Sequence, residues 1–156
     1  MEITVLNEKW LIASEVELIY KSKVKASQRP QITSSYSAYQ IALKAWDSNK
    51  IELLEQFKVL MLSNSNKVLG VLEISSGGIT ETVADLRIIF CALLKANATA
   101  FIVVHNHPSG KLTPSNPDKL VTKRIRKASK ILDIELLDHL IITTEGYYSF
   151  ADEDTL

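Results

Sequence analysis

The chain of 156 residues lacks several features that define specialised classes of protein. Its single cysteine, Cys91, excludes an internal disulfide and favours a reducing compartment. Lysine plus arginine and aspartate plus glutamate number 18 each, so no net charge draws the whole chain to nucleic acid or to an anionic membrane. No apolar run approaches the roughly 20 residues that span a bilayer, and the residues after Met1 do not resemble a signal peptide. We therefore expect a cytoplasmic protein with one globular domain and no membrane partner.

Apolar residues at alternating and helical spacings predict an α/β protein. Strands are expected at residues 57–62, 68–74, 100–104, 135–143 and 146–150, with a hairpin turn at Asn64-Ser65-Asn66. Helices are expected after a cap at Thr33 or Ser34, over a short stretch that runs into Glu55, over residues 82–95, and from Pro117 to Leu132. Strands that alternate with helices favour an α/β sandwich with a mixed sheet.

Three local expectations follow from the same patterns. The first thirty residues alternate apolar and polar side chains, which predicts a strand-like arm over 1–30 ahead of a domain over 31–156. The apolar stripe of the helix at 82–95 includes Leu94, and Cys91 is interpreted as a core residue there. In the last helix Leu132 is expected to face inward, opposite a basic face.

The chemistry-bearing segment begins at the end of the strand predicted at 100–104. His105 and His107 lie two residues apart, and such residues of a strand point to the same side, so both imidazoles can converge on one cation. Zinc accepts histidine nitrogen and aspartate oxygen, and a catalytic zinc site keeps three protein ligands and a water. Asp118 supplies a third ligand if the loop folds back, and Pro114 and Pro117 reduce the entropy of holding it there.

These residues also have plain structural interpretations. Histidines at strand spacing are more often polar decoration of a sheet edge than a ligand pair. Ser115 and Asp118 form a variant of the capping box, with Pro117 in the first turn of the helix. The capping interpretation is compatible with a metal site, because the cap holds Asp118 with one side of its carboxylate free.

The order His-x-His, seven residues, Ser, two residues, Asp resembles the JAMM motif of JAB/MPN-type metalloproteases. The longer string His-Asn-His-Pro-Ser-Gly, then Pro-Ser, then Asp resembles the RadC-like branch, and the likeness runs from about Leu53 to the end of the chain. The resemblance implies a cytidine-deaminase-like three-layer sandwich with a mixed sheet. It also implies a Zn²⁺ ion held by His105, His107 and Asp118, and hydrolysis of a peptide or isopeptide bond.

The JAMM pattern includes an upstream glutamate just before a strand, and Glu55 stands in that place. A zinc site that activates water needs a carboxylate to take the proton and return it to the leaving group. Glu52, one helical turn away, is the alternative base, and a solvated glutamate without a catalytic role is the plain interpretation of Glu55. Ser115 would donate its hydroxyl to the developing oxyanion.

A second hypothesis makes the chain a nucleic-acid-associated binding module with a structural or vestigial metal. RadC-like proteins carry a DNA-repair label, and a basic helix face spans Lys119 to Lys130. Such faces are usually solvated, and full-length RadC proteins begin with a helix-hairpin-helix module where this chain begins with its arm, so we expect only weak nucleic-acid binding. A structural zinc also prefers four protein ligands, whereas His139, in an apolar context, is expected to be a hydrogen-bonded core residue.

Overall fold

A computed structural model of the protein describes residues 22–77 and 84–156. The helices are α1 (Ser35–Lys44), α2 (Leu86–Lys95) and α3 (Asn116–Leu132), preceded by a short 3₁₀ turn at Ala26–Gln28. The strands are β1 (Gln56–Leu62), β2 (Val68–Ser76), β3 (Ala100–Asn106), β4 (Glu135–Ile142) and β5 (Tyr147–Ser149). In residues 22–77 and 84–156, no helix is both long and apolar enough to cross a bilayer.

The strands form one mixed sheet in the order β2-β1-β3-β4-β5. β1 pairs antiparallel with β2 and β3, and β4 pairs antiparallel with β5. The pair β3 and β4 is parallel, and α3 makes the crossover between these two strands. β3 is therefore central, and all seven of its residues are buried, as its continuous apolar run predicts.

Helices cover both faces of the sheet. On one face Ala38, Tyr39 and Ala42 of α1 pack with the even-numbered residues Ile102 and Val104 of β3. On the other face α2 and α3 pack against the odd-numbered residues, where Ile89, Phe90, Leu93 and Ile125 contact Phe57, Val59, Phe101 and Val103. The two apolar clusters on either side of one sheet give three layers, which confirms the predicted sandwich with a mixed sheet.

Each long helix begins at a side-chain cap. Ser34 forms a capping box with Ser37 at α1, and Asp85 accepts a hydrogen bond from the backbone N–H of Arg87 at α2. Ser115 forms a capping box with Asp118 at α3, where Pro117 stands in the first turn. The caps satisfy backbone N–H groups that have no partner inside the helix, so they fix where each helix starts.

Four local expectations are wrong. The stretch before Glu55 forms consecutive hydrogen-bonded turns closed on Asp47 and Lys50 instead of a helix. In α2 only the side with Ile89, Phe90 and Leu93 is buried, so Leu94 is 57% exposed and Cys91 is exposed instead of in the core.

Leu132, at the last turn of α3, is 41% exposed because the helix ends at Asp133, which has left-handed backbone. Of the predicted N-terminal arm, residues 1–21 lie outside the described part of the chain. The described part from Ser22 to Pro30 contains the 3₁₀ turn and no strand.

Candidate metal centre

The end of the central strand delivers two histidines to one side of the sheet. β3 extends to Asn106, so His105 lies inside the strand and is 1% exposed. His107 follows the strand and is held by its backbone N–H, which donates to the carbonyl of Ile142 on β4 at 3.1 Å. The pairing of β3 with β1 on one side and β4 on the other therefore fixes both backbones before any ligand is considered.

The start of α3 brings Asp118 to the same point. Ser115 donates to Oδ2 of Asp118 through its backbone N–H at 2.6 Å and through its hydroxyl at 2.7 Å. Oδ1 of Asp118 then faces Nε2 of His105 at 3.1 Å. The helix cap binds Oδ2 and leaves Oδ1 directed at His105, so capping and ligation are compatible in this structure.

The distances among the three side chains fit the edges of a small coordination polyhedron. Nε2 of His105 lies 3.1 Å from Nε2 of His107, and Nε2 of His107 lies 3.5 Å from Oδ2 of Asp118. A tetrahedral ion with bonds of about 2.0–2.1 Å has ligand-to-ligand edges of roughly 3.3–3.4 Å. His105, His107 and Asp118 therefore lie close enough together to hold a metal ion, with His105 facing Oδ1 of Asp118 and His107 facing Oδ2.

The hydrogen bonds of His107 show why a cation suits this point. Its Nδ1 lies 2.7 Å from the carbonyl oxygen of Lys111, and because a carbonyl only accepts, Nδ1 carries the hydrogen. A neutral His107 therefore presents the lone pair of Nε2 to His105 and Asp118. When both imidazoles are neutral, the two ring nitrogens and the carboxylate repel one another at these distances unless a proton or a metal ion lies among them.

The electrostatics of the cluster point in the same direction. Burial alone would raise the pKa of Asp118, but the adjacent imidazoles of His105 and His107 hold that pKa well below its usual range. Burial would lower the pKa of His107, but Asp118, the carbonyl of Lys111 and the charge of Glu55 together raise it. Asp118 is thus ionised, and its negative charge is available to a metal.

The two candidate glutamates occupy different surroundings. Phe57 pairs with His105, and continuing that antiparallel register by two residues places Glu55 opposite His107, where its charge acts on that imidazole. Glu55 is half-buried, and its carbonyl accepts from the backbone N–H of Gly77 at 2.9 Å. Glu52 is exposed and accepts a hydrogen bond from the hydroxyl of Thr144 at 2.9 Å. Of the two glutamates, Glu55 is the one whose charge acts on a candidate ligand, His107.

Comparison with known proteins connects this site to a family. A family model described as the RadC-like JAB domain matches residues 32–155, which include the three candidate ligands and Glu55. The chain belongs to the RadC family. The resemblance seen in the His-x-His motif is therefore confirmed over most of the chain.

Curated relatives of the RadC-like domain are named only UPF0758 proteins. One from Flavobacterium johnsoniae is 54% identical over 99 residues, which cover 64% of this chain and 43% of the relative. Others from Porphyromonas gingivalis and Thermotoga maritima are 45% and 40% identical over 65% of this chain, which correspond to 45% and 46% of those relatives. The matched part thus spans under half the length of these relatives, and their name describes no reaction.

Asn106, between the two histidines, is a residue that sequence reasoning missed. It is fully buried and points to the opposite side of the sheet, where its Oδ1 accepts from the backbone N–H of Gln56 at 2.8 Å. Its Nδ2 donates to the carbonyls of Ile51 and Leu54 at 2.6 and 2.9 Å. One side chain of the RadC-like domain therefore fastens both flanks of Glu55. The only signal of this role in the sequence is the alternation of side chains along β3, which directs Asn106 to the opposite side of the sheet from His105 and His107.

Ser115 and His139 also lie at the cluster. The hydroxyl of Ser115 is directed at Asp118, so the structure shows its capping role; its predicted role as an oxyanion donor stays a prediction. His139 on β4 is fully buried, and its Nε2 lies 2.7 Å from Nδ1 of His105, as expected of a hydrogen-bonded core histidine. Thr122 of α3, which sequence reasoning also missed, lies 2.6 Å from the other ring nitrogen of His139.

Proposed function

We propose that this RadC-like domain is a zinc-dependent hydrolase that cleaves an amide bond of a peptide or isopeptide. The observation that carries the proposal is the convergence of His105, His107 and Asp118 within ligand distance of one another, with Glu55 beside His107. A structural metal site has no need of a general base, whereas a hydrolase does.

Zinc is the metal that fits this donor set best. Two imidazole nitrogens and one carboxylate oxygen are ligands that zinc accepts at about 2.0–2.2 Å, and three protein ligands leave one position open. When bound, zinc lowers the pKa of a water molecule toward neutrality and polarises the carbonyl of the amide. A structural zinc site prefers four protein ligands, so the three at this cluster favour catalysis.

The other polar groups have distinct tasks in this proposal. Glu55 takes a proton from the attacking water and returns it to the leaving nitrogen of the amide. Asn106 holds the backbone on either side of Glu55, so the carboxylate need not be ordered when substrate binds. In this proposal Ser115 donates to the oxygen of the scissile carbonyl once its hydroxyl, which donates to Oδ2 of Asp118 at 2.7 Å in this structure, turns away from that carboxylate.

The test compares two glutamates that differ in position. Glu55→Gln keeps the shape of the side chain but cannot accept a proton, so zinc content should stay and hydrolysis should fall by roughly 10²–10⁴-fold. Glu52→Gln is the matched control and should match wild type in both measurements. A library of peptide- and isopeptide-linked reporters serves as substrate. If Glu55→Gln keeps wild-type hydrolysis of a reporter whose cleavage needs zinc, Glu55 is not the base.

If a fully zinc-loaded wild type cleaves no reporter, the hydrolase proposal gives way to the binding module. The observation behind that second candidate is the exposed basic face of α3. Its members are Lys119, Lys123, Arg126, Lys127 and Lys130.

A further inference from the structure

The ring of His139 is enclosed by aromatic side chains and has a partner at each of its two nitrogens. Its ring stacks on Phe150, with centroids 4.8 Å apart and planes at 9°, and meets the edge of Phe57 at 5.7 Å. The side chain is fully buried, and its two ring nitrogens face a hydroxyl and an imidazole. A charged ring is costly in such surroundings, because His139 lies between aromatic rings and no carboxylate in the described part of the chain contacts either of its ring nitrogens. His139 is neutral, with one hydrogen to place.

The hydroxyl of Thr122 decides where that hydrogen lies. Oγ1 of Thr122 is 2.6 Å from the main-chain carbonyl of Asp118, and because a carbonyl only accepts, the hydroxyl donates its single hydrogen there. Oγ1 is also 2.6 Å from Nδ1 of His139, so at this contact the oxygen must accept. Nδ1 of His139 therefore carries the hydrogen, and its Nε2 presents a lone pair.

The same reasoning carries across to His105. Nε2 of His139 lies 2.7 Å from Nδ1 of His105, and since Nε2 has no hydrogen, Nδ1 of His105 donates. A neutral His105 then has its remaining lone pair on Nε2, the atom that lies 3.1 Å from Asp118 and from His107. The chain of hydrogen bonds starts at one candidate ligand, His105, and ends on the backbone of another, Asp118.

We propose that His139 and Thr122 are positioning residues that fix the tautomer and ring orientation of His105 so that its Nε2 lone pair faces the metal. The inference rests on the metal site of the proposed function but not on its reaction. Partners that bind the outer nitrogen of a ligating histidine raise its basicity, and their loss typically costs 10–100-fold in metal affinity. Neither residue touches substrate in this proposal.

The first experiment reads the tautomers directly. Histidine ¹⁵N NMR on zinc-loaded wild type at neutral pH should place the hydrogen on Nδ1 in both His105 and His139. A hydrogen on Nε2 of His139 would mean that the chain of bonds runs in the opposite direction, and the proposal would be wrong. This measurement needs no variant, so it stands even if a substitution prevents folding.

The second experiment measures zinc affinity by competition with a chelator. Thr122→Val removes the hydroxyl while keeping the shape, and should weaken zinc binding about 10–100-fold. Thr122→Ser keeps the hydroxyl and should restore affinity. Ser129→Ala is the matched control, because Ser129 is another buried hydroxyl on α3 that donates to a carbonyl, that of Arg126, away from the cluster.

The outcomes separate this inference from the proposed function. Wild-type zinc affinity in Thr122→Val, or equal losses in Thr122→Val and Ser129→Ala, would reduce Thr122 to a packing residue and overturn the proposal. His139→Phe, which keeps the stack on Phe150 but has no acceptor for His105, should lose affinity as Thr122→Val does. A zinc-loaded wild type that cleaves no amide would refute the hydrolase while leaving these affinity results intact.

Discussion

The side chain of Asn106 accepts a hydrogen bond from the backbone N–H of Gln56 at 2.8 Å, which ties the strand that carries the histidines to the start of the strand that follows Glu55. Because the same side chain donates to two carbonyls on the other side of Glu55, the position of this carboxylate depends on a residue of β3. The candidate base and the candidate ligands thus share one rigid support.

Asn106→Ala should destabilise the protein and displace Glu55. The change leaves the N–H of Gln56 and the carbonyls of Ile51 and Leu54 buried without this partner, at a cost of about 1–3 kcal/mol for each group that finds no other. We expect the free energy of unfolding in urea to fall by at least about 2 kcal/mol, with zinc still bound and hydrolysis reduced. Asn49→Ala, at an exposed asparagine bonded only locally to Asp47, is the control. Equal stability of the two variants would exclude the bracing role.

The metal prediction concerns stoichiometry and ligand identity. Purified protein should bind about one zinc per chain, and zinc at about 100 times its dissociation constant should stabilise the fold by about 2.7 kcal/mol. Asp118→Asn should lower zinc affinity first, because it removes the anionic ligand. Asp85→Asn is the matched control, since Asp85 also caps a helix, where it accepts from the backbone N–H of Arg87, but is not part of the cluster. Elemental analysis without zinc, together with no rise in melting temperature on adding it, would exclude the site.

Ser115 has a capping role and a proposed catalytic role, and an equivalent cap separates them. Ser34 forms the same kind of capping box at α1, so Ser34→Ala and Ser115→Ala should each lose about 1 kcal/mol of stability. Only Ser115→Ala should lose turnover, by about 10²–10³-fold, with zinc retained. Parallel assays of melting temperature, zinc content and hydrolysis make the comparison. Equal turnover in the two variants would show that Ser115 caps α3 and has no catalytic role.

The sequence was enough to locate the candidate ligands because their signal is local. His105 and His107 share a side of a strand by alternation, and Asp118 sits three residues after a capping serine, so short spacings describe the geometry. The α/β sandwich with a mixed sheet also follows from the alternation of strands and helices, whereas its three layers were implied by the family resemblance. The fold could therefore be predicted before its contacts were known.

The supports of the site could not be predicted, because they join distant parts of the chain. Asn106 binds carbonyls 52 and 55 positions earlier, and Thr122 meets His139 across 17 positions. No spacing rule indicates that these groups will meet. Cys91 was wrongly predicted for a different reason. A helical stripe predicts that one side of α2 is buried, but the width of the buried side depends on how much of the helix the sheet covers.

The basic face of α3 should bind duplex DNA only weakly. The net charge of the chain is zero, and about five exposed cations can neutralise only a few phosphates, so the dissociation constant should stay above 1 μM at physiological salt. Reversing Lys123, Lys127 and Lys130 to glutamate should remove what binding there is. Arg126 is left in place because its guanidinium donates to the main-chain carbonyl of Leu156, so its reversal would remove a hydrogen bond as well as a charge.

The control for this charge reversal is a set of cations elsewhere on the surface. Lys23, Lys25 and Lys50 are exposed and lie outside α3, so their reversal changes the net charge equally without touching the face. Fluorescence anisotropy with a labelled duplex at several salt concentrations measures both variants. Equal weakening would show that binding follows net charge alone. Sub-micromolar affinity at physiological salt that is lost only when α3 is reversed would instead establish a specific interface, because a site built on so few phosphate contacts cannot reach that affinity through charge alone.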